Sequence, residues 1–110
     1  MDYGLIIQPT AGITYDEVMA TRARAAKALT DHQLTPMDTL GVASKYTDEA
    51  LEKMGIVVKD ALLLSDMIRL MCMCKAVYIC DGSENDPTSA HLTQIAQWYG
   101  MRVIAADDAA

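Results

Sequence analysis

Phenylalanine is absent from this chain, and tryptophan occurs once among its 110 residues. Eight methionines take over part of the apolar role. A flexible thioether fills irregular gaps, so they read as core filling and not as a site. No apolar run approaches the roughly 18 residues of a membrane span. The opening "MDYGLIIQPT" has neither the basic segment nor the long apolar stretch of a secretion signal, which sets a cytoplasmic expectation. Cations are scarce: nine Lys and Arg stand against fifteen Asp and Glu, for a net charge of −6. A phosphate backbone calls for a basic stripe, so nucleic-acid polymers are not expected as partners. A small anion stays admissible, because backbone N–H groups at a helix start hold phosphate without net positive charge. Cys72, Cys74 and Cys80 are an odd number without metal-ligand spacing. They read as small buried hydrophobes of a reducing compartment, with no metal and no cofactor expected.

What is present fits one packed domain. Hydrophobic residues make up 52% against 22% charged, which argues against disorder. A chain of this length buries about two-thirds of its unfolded surface and needs no disulfide to fold. "YGLIIQ" (3–8), ahead of Pro9 and Gly12, predicts a buried strand ending in a tight turn. Thr14 with Glu17 three residues on is a capping box, opening a helix over about 15–30 with Val18, Ala25, Ala26 and Leu29 on its core face. Arg22 falls on that stripe and is expected to pair with a carboxylate, Asp38 being the favoured partner. "LTPMDTL" (34–40) predicts a short edge strand, since Pro36 cannot donate to a ladder.

Residues 47–54 predict a short helix stopped by Gly55, inside a segment, 41–59, read as a lid or an oligomer contact. Residues 60–74 are apolar nearly all round and predict a helix buried on several sides or packed on another subunit. "AVYIC" (76–80) is a central strand by its β-branched and aromatic content. Asp86 then serves as N-cap with Pro87 at the first helical position. Leu92, Ile95, Ala96 and Tyr99 form the apolar stripe, and Gly100 is the stop. "MRVIA" (101–105) is the last strand, and 107–110 an acidic frayed tail.

This alternation predicts a three-layer Rossmann-like α/β fold with a parallel sheet in the order 2-1-3-4 and helices on both faces. Its switch point lies between the carboxyl ends of the first and third strands, where open α/β sheets bind ligands. That brings "QPTAG" and "DGSEND" face to face. Gln8, Pro9, Thr10 and Gly12 on the first loop, with Asp81, Gly82, Ser83, Glu84, Asp86, Thr88 and Ser89 on the second, are the expected ligand-binding residues. Gly12 suits a positive φ or a close backbone approach to a ligand. Thr88 and Ser89 offer hydroxyls to a phosphate or ribose. His91 reads as a surface residue and His32 as a partner of a helix C-terminus.

The same stretches resemble a known family. "LIIQPTAGITYDEVMATRARAAKAL" and "LLLSDMIRLMCMCKAVYICDGSENDPTSAHLTQIAQWYGMRVI" are similar to small nucleoside 2-deoxyribosyltransferase-like proteins, in particular a short bacterial and phage group with a "QPMNG"-type first loop. The resemblance covers about two-thirds of the chain. It implies a nucleoside or nucleotide pocket at the strand ends, often completed by a neighbouring subunit, hence a homo-oligomer in a bacterial cell or phage-infected host. Active members attack the sugar with a helix-borne glutamate.

Position by position, the family's loop carboxylate matches Asp86, while Leu92 stands where the nucleophile is expected. Lys75, Ser83 and Thr88 depart from the family's aspartate, tryptophan and glycine. Gln94 lies about 200° round the helix from Leu92 and is an amide. Glu84 and Asp86 are the catalytic candidates if chemistry survives. The leading expectation is a module that binds a nucleotide, nucleoside or ADP-ribose-type molecule without cleaving it, for instance a phage sponge for a host signalling nucleotide. The alternatives are an active N-glycosidase or deoxyribosyltransferase, and an oligomeric interaction protein without a small ligand.

Overall fold

The computed structural model describes residues 1–39, 41–42 and 45–105, so the expected tail at 107–110 and the end of the expected second strand at Leu40 lie outside the described residues. Strand β1 (Tyr3–Ile7) leads into helix α1 (Tyr15–Asp31), strand β2 (Thr35–Pro36), helices α2 (Asp48–Lys53) and α3 (Lys59–Met71), strand β3 (Ala76–Ile79), helix α4 (Pro87–Trp98) and strand β4 (Arg102–Ala105). The four strands form one parallel sheet in the order β2-β1-β3-β4. This is the α/β architecture that the alternation predicts. On one face Ile6, Tyr78 and Ile104 pack against Ala25, Ala28 and Leu29 of α1. On the other, Leu5, Ile7 and Val77 pack against Met71 of α3 and Leu92 and Ala96 of α4. Successive strand residues alternate between these two cores, as a pleat requires.

The helix starts match their sequence signals. The Thr14 side chain accepts from Glu17 N at 3.2 Å, Thr47 from Ala50 N at 3.1 Å, and Asp86 from Ser89 N at 3.1 Å. The His32 ring nitrogen Nδ1 lies 2.8 Å from the Ala28 carbonyl at the end of α1, the expected helix-end role. Gly55 and Gly100 take positive φ where helices stop.

Four expectations need correction. β2 is two residues long, because Pro36 donates no N–H and only Thr35 N and Met37 N reach back, to Asp2 O and Gly4 O. α3 is not buried on several sides: Ala61, Ser65 and Arg69 are exposed, its leucines are half-buried, and Met71 and Asp66 are its buried members. The Tyr46 hydroxyl donates to that Asp66 carboxylate at 2.5 Å, which anchors the segment before α2 to α3. Tyr99 leaves the core stripe and is exposed, since it caps α4 rather than continuing it.

The cysteines are the fourth correction: Cys80 is buried, Cys74 half-buried and Cys72 exposed. Burial, with a smaller effect of negative charge at Asp81, pushes the Cys80 thiol up to about 11, and burial pushes Cys74 to about 11. Thiolate is the reactive form. In dilute folded protein at pH 8, Cys72 is therefore expected to react with N-ethylmaleimide and the other two to resist until the chain unfolds. Peptide mapping of the alkylated protein checks this.

Gly4 exposes a tight contact that periodicity does not reveal. A Cβ there would sit 2.6 Å from Leu29 Cδ2, and Leu29 is completely buried. Gly4→Ala is expected to cost about 1–3 kcal/mol through overpacking, despite removing a flexible residue from a strand. A denaturant titration measures it.

Candidate functional site

β1 and β3 are adjacent and parallel, with Ile7 opposite Ile79, so the loops that leave them emerge at one rim. Three bonds join those loops. Cys80 N donates to Ile7 O at 2.9 Å. The Ser83 hydroxyl shares its proton between Ile7 O at 3.2 Å and Cys80 O at 2.7 Å. The Ser89 hydroxyl reaches Gln8 O at 2.9 Å and Asp86 Oδ2 at 2.8 Å. Ser83 is 1% exposed, so its hydroxyl serves as an internal tie between carbonyls.

A cleft of about 420 Å³ opens at this rim. That lies within the usual range of small-molecule sites, roughly 300–1,000 Å³. Gln8, Thr10, Val18 and Arg22 line one wall, and Asp86, Thr88 and Ser89 the other. Thr39, Val42 and residues Asp60, Leu63 and Met67 close it from β2's exit and from α3. Leu92 forms part of the floor; it is 2% exposed and packs in the same core as Leu5, Ile7 and Met71.

The expected site residues divide. Gln8, Thr10, Asp86, Thr88 and Ser89 share this cleft. Pro9 and Asp81 belong to a separate hollow of about 350 Å³ against α1, with Glu17 and Arg24. Gly12 takes φ +74° in an open turn and lines neither. Gly82, at φ +85°, faces Pro9 Cγ at 3.6 Å from where its Cβ would stand, and holds the turn into the 3₁₀ segment Ser83–Asn85. Glu84 is exposed on that segment, outside the cleft lining. His91 is exposed as expected.

Arg22 is the cation the loops lack. Its Nη1 donates to Thr39 Oγ1 at 3.1 Å and, at 3.5 Å, to Gln8 Oε1; its Nη2 donates to the Met37 carbonyl at 3.1 Å. These acceptors are neutral oxygens and form a cross-brace between α1, β1 and β2's exit, while Asp38, the expected partner, acts on the guanidinium through its charge and is not among these three bonds. Burial lowers the pKa of the guanidinium, and the negative charge of Asp38 works in the opposite direction. It remains charged, as arginine does in proteins. The Nε hydrogen and the second Nη2 hydrogen take none of these three bonds. The Gln8 amide is itself held, its Nε2 donating to Val18 O at 3.1 Å. The signal for Arg22 was in the sequence: it lies one helical turn after Val18, on the stripe that faces the sheet.

Chemically, the cleft has one half-buried carboxylate, Asp86, whose bonds all fall on Oδ2, and a rim carboxylate, Asp60. The start of α4 would ordinarily attract an anion. Here Asp86 already occupies it, since Oδ2 accepts from Ser89 N, so a phosphate would meet a like charge. Neither imidazole lines the cleft, and among the described residues no cluster of His, Cys, Asp and Glu fits a metal ion. No described helix is long and apolar enough to cross a membrane. No protein-family model, curated protein or solved structure matches this chain.

Proposed function

We propose that the cleft binds a nucleoside- or nucleotide-type small molecule and releases it intact. The observation that carries this reading is the pairing across one cleft of a cation, Arg22, with a carboxylate, Asp86, over an aliphatic floor at Leu92. Asp86 Oδ1 suits the hydroxyl pair of a sugar. Arg22 suits an acceptor, either a base carbonyl or a single phosphate. Val18, Val42, Leu63 and Met67 supply apolar walls for a flat ring. With Asp60 and Asp86 against one Arg, the cleft favours a nucleoside or monophosphate over a di- or triphosphate. The resemblance to nucleoside 2-deoxyribosyltransferase-like proteins supports the ligand class, and leucine at the nucleophile position supports binding without cleavage. Such a binder would sequester a nucleotide signal, the role proposed here for a phage-borne copy.

The test is a thermal-shift panel of nucleosides, their 5′-monophosphates and triphosphates, and ADP-ribose, each mixture then chromatographed. A ligand at 100 times its dissociation constant is expected to add about 2.7 kcal/mol, on the order of 10 °C for a domain this size. Asp86→Asn is expected to keep the cap's acceptor and weaken sugar-bearing ligands at least tenfold. Free base appearing in an Asp86-dependent manner would instead assign the chain to N-glycosidases. No shift with any compound would leave the cleft without this role.

A further inference from the structure

A hollow of about 580 Å³ lies away from the cleft, between the carboxyl ends of α3 and α4, and the two share no lining residue. Four of its eight lining residues carry sulfur: Met71, Cys72, Cys74 and Met101. Backbone bonds account for the gathering. Past the end of α3, Cys74 N donates to the Met71 carbonyl at 3.0 Å, folding 71–74 into a turn whose end Cα atoms lie within about 7 Å. Cys72 stands inside that turn, near enough for its charge to act on the Cys74 thiol. The Cys74 thiol donates to the Leu70 carbonyl at 3.4 Å, which orients its sulfur. Met101 arrives from α4, its N–H donating to Ala96 O at 2.9 Å. Ala76 pairs with Arg102 across the parallel ladder, so Met101 enters level with Lys75, one residue on from Cys74.

We propose that this hollow binds one Cu(I) ion, with Cys72 and Cys74 as thiolate ligands and Met101 as the thioether that completes the set. Ligand softness selects the ion. Thiolate and thioether sulfur favour Cu(I), whereas structural zinc takes four donors from Cys, His and carboxylates. Among the described residues no three of His, Cys, Asp and Glu gather for a metal, so zinc lacks donors here. Hard cations need oxygen ligands, and the lining offers no carboxylate or amide side chain. Cys72 is exposed, which leaves the ion a way in, while Cys74 and Met101 are half-buried. On binding, the two S–H protons leave to solvent and two sulfur–copper bonds replace them. Copper enters and stays as Cu(I), so no electron is transferred. The bis-thiolate complex carries one negative charge. Lys75 and Arg102, next in sequence to Cys74 and Met101, are exposed cations at the same strand ends and offset that charge.

The test uses the full chain under anaerobic, reducing conditions, with Cu(I) supplied from a bicinchoninate buffer. The native chain is expected to take up one Cu(I) per chain, counted by native mass spectrometry, and to gain a thiolate-to-copper charge-transfer band in the ultraviolet. Trp98, the only tryptophan, stands in the lining, so its fluorescence is expected to fall in step with occupancy. Bound copper is also expected to shield Cys72 from N-ethylmaleimide. Groups outside the ligand shell already contribute about 10–100-fold to metal affinity, so losing a ligand through Cys72→Ser or Cys74→Ser is expected to cost about 100-fold or more. Met101→Leu keeps the volume and is expected to cost about tenfold, the thioether being the weaker ligand. Cys80→Ala, in the core on the other face of the sheet, is expected to leave copper affinity unchanged. Copper that stays with bicinchoninate would overturn the proposal. So would one Cu(I) shared between two chains, uptake that survives Cys72→Ser and Cys74→Ser, or Zn(II) bound as tightly as Cu(I).

Discussion

Leu92→Glu is expected to unfold the protein more readily without creating a glycosidase. Leu92 is 2% exposed and packed against Leu5, Ile7, Met71 and Val77. Turning the new carboxyl toward the core buries a charge whose described neighbours on the floor are aliphatic. Turning it to the cleft abandons the packing. Either route is expected to cost on the order of 3–5 kcal/mol at neutral pH. In a domain this size that lowers the melting temperature by roughly 10–20 °C.

The pH dependence separates the two routes. A carboxyl buried without a partner has its folded pKa raised above the unfolded value of about 4.3. The unfolded chain then loses its proton first as pH rises, so the deficit is smallest in acid and grows through the folded pKa. Thermal melts of native and variant protein between pH 5 and pH 8 are expected to converge toward the acid end. A constant deficit would mean that the carboxyl stands in the solvated cleft. Released base would mean that one carboxyl at position 92 restores the chemistry, and would contradict the expectation that the substitution only destabilises.

Arg22→Met is the second large effect, and it acts on stability and binding together. Methionine keeps most of the apolar stem and removes the guanidinium. Thr39 Oγ1, the Met37 carbonyl and Gln8 Oε1 then lose a charged donor. A hydrogen bond to a charged group contributes about 1.5–3 kcal/mol, while solvent reaching the half-buried site offsets part of the loss; about 2 kcal/mol of destabilisation is expected. A ligand acceptor at the same guanidinium is expected to lose a comparable amount, on the order of 30-fold in affinity. Isothermal titration at a temperature where the variant is folded measures the second effect free of the first. Arg22→Lys is expected to recover little, because one ammonium cannot span acceptors on Gln8, Met37 and Thr39.

The parts of the fold legible in the sequence are those written locally. Thr14 with Glu17, Asp86 before Pro87, and Gly100 after Trp98 each fix a helix end through bonds made within a few residues. The alternation of strand and helix signals then leaves few parallel arrangements, and 2-1-3-4 is the one observed. What escaped was decided by distant partners. Ser83 reads as a loop hydroxyl until it meets the Ile7 carbonyl, 76 residues away. Arg22 was visible on its stripe, but neutral acceptors on Met37 and Thr39 have no signature beside it. The division of the two loops between two hollows depends on how α3, Thr39 and Val42 close one side of the rim. Glycine and carboxylate content alone could not separate Gly12, Asp81 and Glu84 from Asp86. Tyr99 and Cys72 were placed in the core by helical period and spacing, yet both lie where a helix has ended.

The most direct measurement is a crystal structure of the protein soaked with a mixture of nucleosides and 5′-monophosphates. The expected density is one intact ligand in the cleft, its sugar hydroxyls on Asp86, its acceptor on Arg22, and its glycosidic bond over Leu92. Density for a separated base and sugar, or for a ligand seated elsewhere over an empty cleft, would contradict the account.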